Sequence, residues 1–542
     1  MKLILFFILI LLTSAFFPQL VVVFLVLNLF AGLFLSVLQI GIALLPHYEP
    51  KHSNMKRKPF ISVFVPAYNE PPAILMQTLE RLSRLKYNNF EVLVIDNNTK
   101  DPKIWKPVKA FVELLGEKFK FYHVDHMEGF KAGALNYLLK RMDNRSQYIA
   151  VIDADYFVRP DFLTVAMSYF TEEKIALVQF PQRYRNCISE NQPIADEYGH
   201  FFGVYMNMAN HFDCVSSTGT VSIYRSKVLK QIGGFHLEAL TEDADVGLRI
   251  YGAGYHGIYV DRAMGYGLMP YDLESYRKQK WRWAFGNAQS LRTLCSLFGK
   301  IPFKSWFGFL AQLTAWDHLN FLPFAVLASY SIVLIPAIQI TALHKHLLEL
   351  AAMSIFLTAI SKLILMWSTL RKQPNSVSRT IRAFVVHMGM TLLYSEAWLT
   401  ILFGTKYKFE RTNKFILSKV PSLLKNSYKE LILGLWFLGG SIEAIILNSR
   451  IITIISFLAS SAILFFIYYV YWKIFPTKSY SREIFLKIEK NIARILKVKS
   501  KLIINNRKNY ENSASGAIME KGSAGKIRRF GAGSCQLGQG ID

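Results

Sequence analysis

The N-terminal segment constrains the fold most, because residues 3–45 contain no charged side chain. At 1.5 Å per residue, such a run is about twice as long as one hydrocarbon core of roughly 30 Å requires. Two membrane helices broken near Pro18 would account for it. The alternative is a short secretory segment over residues 3–17, followed by one span. In both cases the chain next enters the basic run 51–58, which the positive-inside rule places in the cytoplasm.

Composition narrows the choice of partner. The 542 residues carry 63 Lys and Arg against 38 Asp and Glu, a net charge of +25, and 52% of them are hydrophobic. This balance excludes an acidic or disordered protein, and it permits nucleic acid, an anionic membrane surface or a polyphosphorylated substrate as partner. The basic residues cluster beside apolar segments, which favours the lipid membrane and argues against nucleic acid. The four cysteines are scattered without zinc-ligand spacing, so we expect reduced cytosolic thiols.

Apolar segments return after residue 300 in two predicted hairpins. Residues 319–340 and 350–370 form the first, and residues 431–447 and 451–472 form the second, so about six transmembrane helices are expected. Residues 381–403 lie between the hairpins, with both ends on the cytoplasmic side. For this segment an amphipathic helix in the interface is favoured over a further span.

The expected organisation has five parts. They are N-terminal transmembrane helices at 1–50, a cytosolic domain at 58–300, transmembrane and interfacial helices at 301–475, a basic amphipathic tail at 476–510, and a disordered tail or cloning scar at 511–542. The tail at 476–510 is read as a surface-bound cytoplasmic helix because its Lys and Arg recur at roughly helical spacing.

The middle of the chain alternates short apolar runs with helical stretches. The runs ISVFVPAYNE, FEVLVIDNN, KFKFYHVD and YIAVIDADY each end in polar residues, so we predict an α/β domain with a parallel sheet. Ligands gather at the carboxyl ends of such strands, which here carry Tyr68 and Glu70, then Asp96, then Asp153 and Asp155. None of these strand ends carries a GxGxxG motif, which argues against a dinucleotide fold. The acidic and amide groups fit a nucleotide bound with a metal.

Two motifs fit phosphate and metal binding. Alternation along a strand would point the Asp153 and Asp155 carboxylates the same way, so that both could hold a hard divalent cation. A lone DxD is otherwise two solvated carboxylates at a strand end. In GFKAGALN, Lys131 lies in a small-residue turn before a predicted helix, where its ammonium and the helix N–H groups could meet phosphate.

Each of two further motifs has an ordinary structural interpretation beside a functional one. TEDADVGLR, beginning at Thr241, could be a capping box at a helix start. QKWRW, beginning at Gln279, could supply interfacial tryptophan anchors. Tryptophan faces also stack on sugar rings, and Arg282 would suit a pyrophosphate.

As a set, these motifs carry a family resemblance. DNN at Asp96, DAD at Asp153, TED at Thr241 and QKWRW at Gln279 resemble, in order and spacing, the D, DxD, TED and Q(Q/R)xRW series of processive family 2 glycosyltransferases. Cellulose, hyaluronan and chitin synthases belong to that family. Runs such as VIDNNTKDP and EDADVGLR look closest to bacterial β-glucan synthase catalytic subunits. KFERTNK at 408–414 resembles the family's FxVTxK gating loop, although Arg411 stands where Val is usual.

The resemblance implies a fold, an activity and a set of roles. It implies an α/β nucleotide-sugar-binding domain of the GT-A type inserted between transmembrane sections, and an inverting polymerisation of a nucleotide sugar, with UDP-glucose favoured, into an exported β-linked polysaccharide. It also implies a divalent cation, Mg²⁺ or Mn²⁺. The implied residues are Asp243 as general base with Glu242 and Asp155 for catalysis; Tyr68, Glu70, Asp96, Lys131, Asp153, Gln279 and Arg282 for the nucleotide sugar; Trp283, Gly219 and Thr220 for the acceptor; Asp155 and Asp153 for the metal; and Phe409, Thr412 and Lys414 for a gating loop at 405–416.

Two other functions stay open at the level of sequence. A non-processive transferase would move one sugar onto a polyprenyl phosphate, although such proteins usually lack the QxxRW element. A non-catalytic polysaccharide export channel would use the soluble domain only to sense a nucleotide, although intact acidic motifs argue against a dead site. The expected partners are the nucleotide sugar, the growing polysaccharide, the lipid membrane and an accessory export subunit.

Overall fold

A computed structural model describes residues 2–53, 58–189, 191–270, 272–316, 321–334, 341–402 and 423–469 of the chain. The expected gating loop, with Phe409, Thr412 and Lys414, lies outside these residues, and so do both predicted tail segments.

The N-terminal segment forms two helices, α1 (Lys2–Phe16) and α2 (Pro18–Ala43). Phe17 lies between them and Pro18 takes the first helical position of α2. Proline is tolerated there because the first N–H groups of a helix have no intrahelical partner. The predicted break near Pro18 is therefore confirmed.

The middle of the chain forms an α/β domain built on a seven-stranded sheet in the order β3-β2-β1-β4-β8-β6-β9, with a small second sheet in the order β5-β10-β7. The strands are β1 (Phe60–Ala67), β2 (Phe90–Asn97), β3 (Phe119–Val124), β4 (Ser146–Val151), β5 (Phe157–Val158), β6 (Ile175–Gln179), β7 (Arg183–Tyr184), β8 (Ser222–Arg225), β9 (His256–Tyr259) and β10 (Gly265–Gly267). The helices of the domain are α3 (Pro72–Leu82), α4 (Pro102–Leu114), α5 (Phe130–Leu139), α6 (Phe162–Met167), α7 (Gln192–His200), α8 (Met206–Phe212), α9 (Ser226–Gln231), α10 (Glu242–Gly252), α11 (Leu273–Ser296) and α12 (Phe303–Leu313), with a π-helical turn at Phe201–Tyr205.

The four strands predicted from apolar runs are β1 to β4, and they pair in parallel. Strands β1 and β2 are buried along almost their whole length, as continuous apolar runs in a covered parallel sheet require. Ala67 pairs with Asp96, which brings the carboxyl ends of these two strands to the same edge.

One strand of the seven-stranded sheet, which was not among the four predicted, departs from their parallel arrangement. Strand β8 runs antiparallel to both β4 and β6. It is only four residues long, so its sequence, SIYR, is too short to show a pattern of its own. Its insertion places the loop before it, which holds Gly219 and Thr220, beside the end of β4.

Helices resume after the domain. They are α13 (Phe321–Ser329), α14 (Ala342–Leu370), α15 (Ser376–Met388), α16 (Thr391–Leu402), α17 (Leu423–Ile446) and α18 (Arg450–Tyr469), with a π-helical turn at Tyr330–Leu334. Among the described residues, three helical stretches are long and apolar enough to cross a membrane: Pro18–Ala43, Ala342–Leu370 and Ile452–Tyr469. Six spans were expected.

Two of these apolar helices are joined by buried polar contacts. The Ser36 hydroxyl of α2 lies 3.3 Å from the Ser361 hydroxyl of α14, which also donates a hydrogen bond of 3.1 Å to Gln39 Oε1. Polar side chains between apolar helices hold them in a fixed register when both are surrounded by lipid.

The segment predicted as one interfacial helix at 381–403 forms two helices, α15 and α16, which meet at Gly389 and Met390. A side chain at Gly389 would overlap the ring of Phe466 on α18, so this position must stay small. Helix α15 is amphipathic and packs on α7, where Arg379 Nε donates a 2.9 Å hydrogen bond to Asp196 Oδ2. The helices after residue 370 therefore reach the α/β domain.

Candidate active site

A cavity of about 180 Å³ opens at the carboxyl ends of β1, β2 and β4, and we call it the main cavity. It brings together ten of the residues singled out from sequence. These are Tyr68, Glu70, Lys131, Asp153, Asp155, Glu242, Asp243, Gln279, Arg282 and Trp283.

Asp153 and Asp155 lie in the turn after β4, which ends at Val151. Their placement therefore follows from a turn rather than from the strand alternation expected above. Asp155 is buried, and its Oδ2 accepts a 2.8 Å hydrogen bond from the backbone N–H of Leu268. Asp153 is more exposed, and its Oδ1 lies 2.7 Å from the Lys131 ammonium. The two carboxylates face one cavity but are held by different partners.

Lys131 lies in the first turn of α5, as predicted, after Gly129 in the left-handed region at φ 70°. Its ammonium donates a 2.8 Å hydrogen bond to the carbonyl of Gly219 and lies 3.7 Å from Glu242 Oε1. Burial lowers the pKa of Lys131, but the surrounding carboxylates of Asp153, Glu242 and Asp243 raise it above its ordinary value. The ammonium therefore stays charged and joins three acidic groups, which would otherwise repel one another.

The TED motif begins α10, with Thr241 at the N-cap position. The Thr241 side chain makes no capping hydrogen bond, and its buried hydroxyl has no partner among the residues that the structure describes. The capping-box alternative for this motif therefore has no support in the structure. Asp245, one turn further on, is ion-paired with Arg249 at 2.8 Å and has a structural role instead.

Asp243 lies where the main cavity turns towards α11. Its Oδ1 accepts a 2.9 Å hydrogen bond from the N–H of Ala244. Its Oδ2 packs against Gly219, where an added Cβ would lie only 2.6 Å away. Burial, and after it the neighbouring Glu242 carboxylate, raise the pKa of Asp243 to about 7, while Lys131 acts in the opposite direction. A carboxylate with this pKa can accept a proton near neutral pH.

The QKWRW motif lies within α11, where a spacing of three and four residues puts Gln279, Arg282 and Trp283 on one face. All three line the main cavity. Gln279 Oε1 accepts a short hydrogen bond from the hydroxyl of Tyr198 on α7. The Trp283 ring lies 5.5 Å from that of Trp316, measured between centroids.

A second cavity of about 80 Å³ adjoins the first, and we call it the aromatic cavity. It shares Gln182, Thr218, Thr241, Asp243 and Trp283 with the main cavity. Its other walls are mostly aromatic or small, and they include Tyr198, Phe201, Phe202, Ser216, Asn287 and Trp316. Asp243 is therefore reached from both cavities.

Three predicted residues do not line the main cavity. Asp96 is buried beneath it, where its carboxylate accepts a 2.7 Å hydrogen bond from Thr99 and lies 2.9 Å from His123 Nδ1. Burial raises the pKa of Asp96 to about 6, although both of these hydrogen bonds lower it. Gly219 and Thr220 act from behind the wall: the Thr220 hydroxyl accepts a 3.0 Å hydrogen bond from the N–H of Asp153.

Several lining residues had no role assigned from sequence. Asn97 belongs to the DNN motif, lines the main cavity, and has a buried Oδ1 without a partner among the described residues. Gln182 lines both cavities. Trp316 follows α12 and carries no local signal, since only the fold brings it to Trp283.

The main cavity also fits a divalent cation. Its carboxylates include those of Asp153 and Asp155, whose oxygens are hard ligands of the kind that Mg²⁺ and Mn²⁺ prefer. The hydrogen bond from Leu268 fixes the orientation of the Asp155 carboxylate, as the second shell of a metal site commonly does. Asp155, with Asp153, is the donor set that would hold such an ion.

Residues 58–286 match the family model described as Glycosyltransferase like family 2. The chain is 26% identical over 261 residues to the UDP-forming cellulose synthase catalytic subunit of Xanthomonas axonopodis pv. citri (strain 306), covering 46% of this chain and 34% of that protein. It is 28% identical over 251 residues to the UDP-forming subunit of Pseudomonas fluorescens (strain SBW25), covering 45% and 33%. To cellulose synthase 1 of Komagataeibacter xylinus it is 27% identical over 420 residues, covering 75% and 26%. The chain thus spans about a third or less of the length of these relatives.

Among solved structures, mannosyltransferase PcManGT from Pyrobaculum calidifontis in complex with GDP-Man and Mn²⁺ superposes with a TM-score of 0.46 at 18% identity, covering 68% of this chain and 98% of that one. TarS 1–349 of S. aureus superposes with a TM-score of 0.34 at 14% identity, covering 67% and 97%. Superpositions at these scores support no inference about substrate or mechanism.

Proposed function

We propose, from the family 2 glycosyltransferase domain that this chain carries at residues 58–286, that the protein polymerises UDP-glucose into a β-linked polysaccharide with inversion at the anomeric carbon. The names of the matched relatives support this donor, because two of them are UDP-forming cellulose synthase catalytic subunits. Processive growth and export of the chain across the cytoplasmic membrane are part of the same proposal.

One observation carries the proposal. The pair Asp153 and Asp155, then Asp243, then Trp283 come from three separate motifs of the sequence, and all four residues line one cavity at the carboxyl edge of the sheet. A glycosyl transfer needs a site for the diphosphate, a base for the attacking hydroxyl and a platform for the acceptor, and these side chains match the three needs. The sheet edge is also where ligands of open α/β sheets bind.

The reaction is a single displacement. The oxygen of an acceptor hydroxyl attacks the anomeric carbon, the bond from that carbon to the diphosphate oxygen breaks, and the diphosphate leaves with the electron pair. Asp243 accepts the hydroxyl proton, for which its raised pKa is suited. Glu242, adjacent to it, keeps that pKa high by charge repulsion.

The leaving group needs positive charge. Arg282 lines the cavity and would face the diphosphate, and Lys131 would neutralise the acidic cluster around it. A divalent cation bound by Asp155 and Asp153 would add Lewis-acid stabilisation of the diphosphate. Tyr68, Glu70 and Asn97 would contact the nucleoside part from the β1 and β2 side. Asp96, which is buried behind Asn97, would support this part of the site without contacting the nucleoside itself.

The acceptor side is assigned to α11 and the loop before β8. Trp283 would stack on the terminal sugar, and Gln279 would position it from the same helix face. Gly219 leaves room for the Asp243 carboxylate, and Thr220 holds the backbone of Asp153. These two residues would shape the site rather than bind the acceptor themselves.

We place the α/β domain on the cytoplasmic side, between two transmembrane sections with about six spans in total. Three helical stretches of the described residues support spans directly by length and hydropathy. The domain limits 1–50, 58–300, 301–475, 476–510 and 511–542, and a gating loop at 405–416, belong to this proposal. A separate export subunit would be the outer-membrane or periplasmic partner.

A donor panel tests the function. Full-length protein in detergent or nanodiscs would be incubated separately with UDP-glucose, UDP-N-acetylglucosamine, UDP-glucuronate and GDP-mannose, with and without Mg²⁺ or Mn²⁺, and nucleotide release and radiolabelled product measured. Linkage-specific hydrolases would then identify the polymer. We expect a β-glucan from UDP-glucose alone. Transfer of one sugar to a polyprenyl phosphate, or no turnover of any donor, would contradict the proposal.

A further inference from the structure

The aromatic cavity has a buried charge behind its wall. Lys280, the second residue of QKWRW, is fully buried, and its ammonium lies 4.0 Å from the centroid of the Trp316 ring, 4.3 Å from that of Tyr198 and 5.1 Å from that of Trp283. These three rings all line the aromatic cavity. A cation over aromatic faces is attractive, and more so when water is excluded. The arrangement explains how a lysine can lie inside this wall.

A single carboxylate balances the lysine. Glu197 on α7 is also fully buried, and its Oε2 lies 2.5 Å from the Lys280 ammonium. The hydroxyl of Tyr276 donates a 3.0 Å hydrogen bond to the same oxygen, and His387 Nδ1 lies 3.0 Å from Oε1. Burial alone would raise the pKa of Glu197, but Lys280 and His387 hold it below its ordinary value. The pair is therefore ionised and enclosed by protein.

The cluster joins three elements. Glu197 comes from α7, Lys280 from α11 and His387 from α15, which follows the apolar helix α14. A second contact, from Arg379 to Asp196, ties α15 to α7 about two turns before His387 on α15. The aromatic wall is thus fixed from the α/β domain and from the helices beyond residue 370.

A metal ion is the alternative occupant. Glu197, His200 and His387 are buried and offer ligand atoms within 4.8 Å of one another. However, Oε2 of Glu197 already lies against the Lys280 ammonium and Oε1 against His387 Nδ1, so both carboxylate oxygens have protein partners in this enclosed site. The site is organised around the lysine.

We propose that Lys280 is a positioning residue of the acceptor site. Its ammonium, which is held by Glu197, fixes the rings of Trp283 and Trp316, and the growing sugar chain packs against these rings beside Asp243. This inference rests on the proposed function and specifies it. Lys280 does not itself line either cavity, so it acts through the two indoles.

Three variants separate this role from a purely structural one. Lys280→Met keeps the length of the side chain and removes the charge, and Lys280→Arg keeps the charge. The double variant Lys280→Met with Glu197→Gln removes both charges, so that no buried carboxylate is left unpaired. Lys278→Met is the matched control, because Lys278 lies on the same helix, is well exposed and pairs with Glu274 one turn away.

The measurements are the KM for a soluble β-linked gluco-oligosaccharide acceptor, the KM for UDP-glucose, the rate of UDP-glucose hydrolysis without acceptor, and product length. In Lys280→Met we expect the acceptor KM to rise about tenfold and the product to shorten, while donor KM and hydrolysis change less than twofold. Lys280→Arg should recover most of the acceptor KM, and Lys278→Met should match the wild type. A loss of fold would instead lower all rates together.

If Lys280→Met fails to fold, the double variant carries the test and should show the same rise in acceptor KM. Wild-type transfer together with an unchanged acceptor KM in the folded charge-free variant would overturn this inference alone. Absence of transfer by the wild-type protein with every donor would overturn the proposed function and this inference with it.

Discussion

The main cavity and the aromatic cavity meet at Asp243 but differ in what builds their walls. The main cavity is lined by charged groups at strand ends and helix starts, and two of them, Asp153 and Lys131, remain partly exposed. The walls of the aromatic cavity include the rings of Trp283, Trp316 and Tyr198, and an enclosed ion pair lies behind these rings.

The difference matches two chemical tasks. Solvent-accessible carboxylates and cations can exchange a charged nucleotide at each cycle, because water and ions replace their partners at little cost. Aromatic faces hold an uncharged sugar without a fixed hydrogen-bonding partner, which permits it to advance. The boundary residue, Asp243, must then be indispensable, whereas residues on either side should affect one substrate more than the other.

Replacing the boundary residue should have the largest effect. Asp243→Asn removes the proton acceptor with little change in shape, so we expect the transfer rate to fall by about 10²–10⁴-fold, the usual contribution of a general base. UDP binding, measured by calorimetry, should stay within about threefold of the wild type, since the diphosphate contacts lie elsewhere.

Glu238→Gln is the matched control for this variant, because Glu238 is an exposed acidic residue shortly before α10. It should leave transfer unchanged. If Asp243→Asn made as much polymer as the wild type, Asp243 would not be the general base. The boundary between the two cavities would then have no catalytic role.

On the side of the main cavity, Asp155→Asn should lower transfer by about 10²-fold, comparable with the loss of one electrostatic group in other active sites. Asparagine can still accept the hydrogen bond from Leu268, so the turn should stay intact. The Mg²⁺ or Mn²⁺ concentration giving half-maximal rate should rise, as measured by titration after EDTA treatment. Asp125→Asn is the control, because the Asp125 side chain is well exposed. An unaltered cation dependence in Asp155→Asn would exclude Asp155 as a metal ligand.

The pH profile should report the boundary residue. Because the pKa of Asp243 is raised to about 7, its carboxylate is largely protonated at pH 6 and largely ionised at pH 8. Only the ionised form accepts a proton, so kcat/KM should rise about tenfold over this interval and then level off. UDP affinity measured over the same range controls for donor binding. A flat profile between pH 6 and pH 8 would contradict the assignment.

Much of the α/β domain could be predicted because its central strands β1 and β2 are continuous apolar runs buried on both faces. Strands β3 and β4 include polar residues, but they too appear where the sequence placed them. Strand β8 was missed because four residues show no period. The division of residues 381–403 into α15 and α16 was also missed, and the close approach of Phe466 to Gly389 at this point is a tertiary contact that the local pattern does not contain.

The two cavities also differ in how far their residues could be predicted from the sequence. Motif residues with carboxylate or ammonium groups could be assigned to the main cavity from type and spacing, although the turn geometry of Asp153 and the backing position of Asp96 could not. The aromatic cavity depends on packing between α7, α11 and the segment after α12. Trp316 therefore carries no sequence signal, and the pairing of Lys280 with Glu197 required the folded chain.

The smallest expected effect concerns Thr241, which lines both cavities but does not cap its helix. Thr241→Val keeps the shape and removes only the hydroxyl, so stability should change by less than about 0.5 kcal/mol, a shift of about 2 °C or less in the thermal midpoint in detergent. Asp101→Ala is the control, because the Asp101 carboxylate caps α4 by accepting a 2.9 Å hydrogen bond from the backbone N–H of Lys103. Loss of this cap should lower the free energy of unfolding by about 1 kcal/mol. If the Thr241 hydroxyl binds substrate at the boundary, transfer should fall about fivefold in Thr241→Val, the worth of one neutral hydrogen bond. A thermal shift as large as that of Asp101→Ala, with an unchanged rate, would instead make Thr241 a structural residue without a role at the boundary between the two cavities.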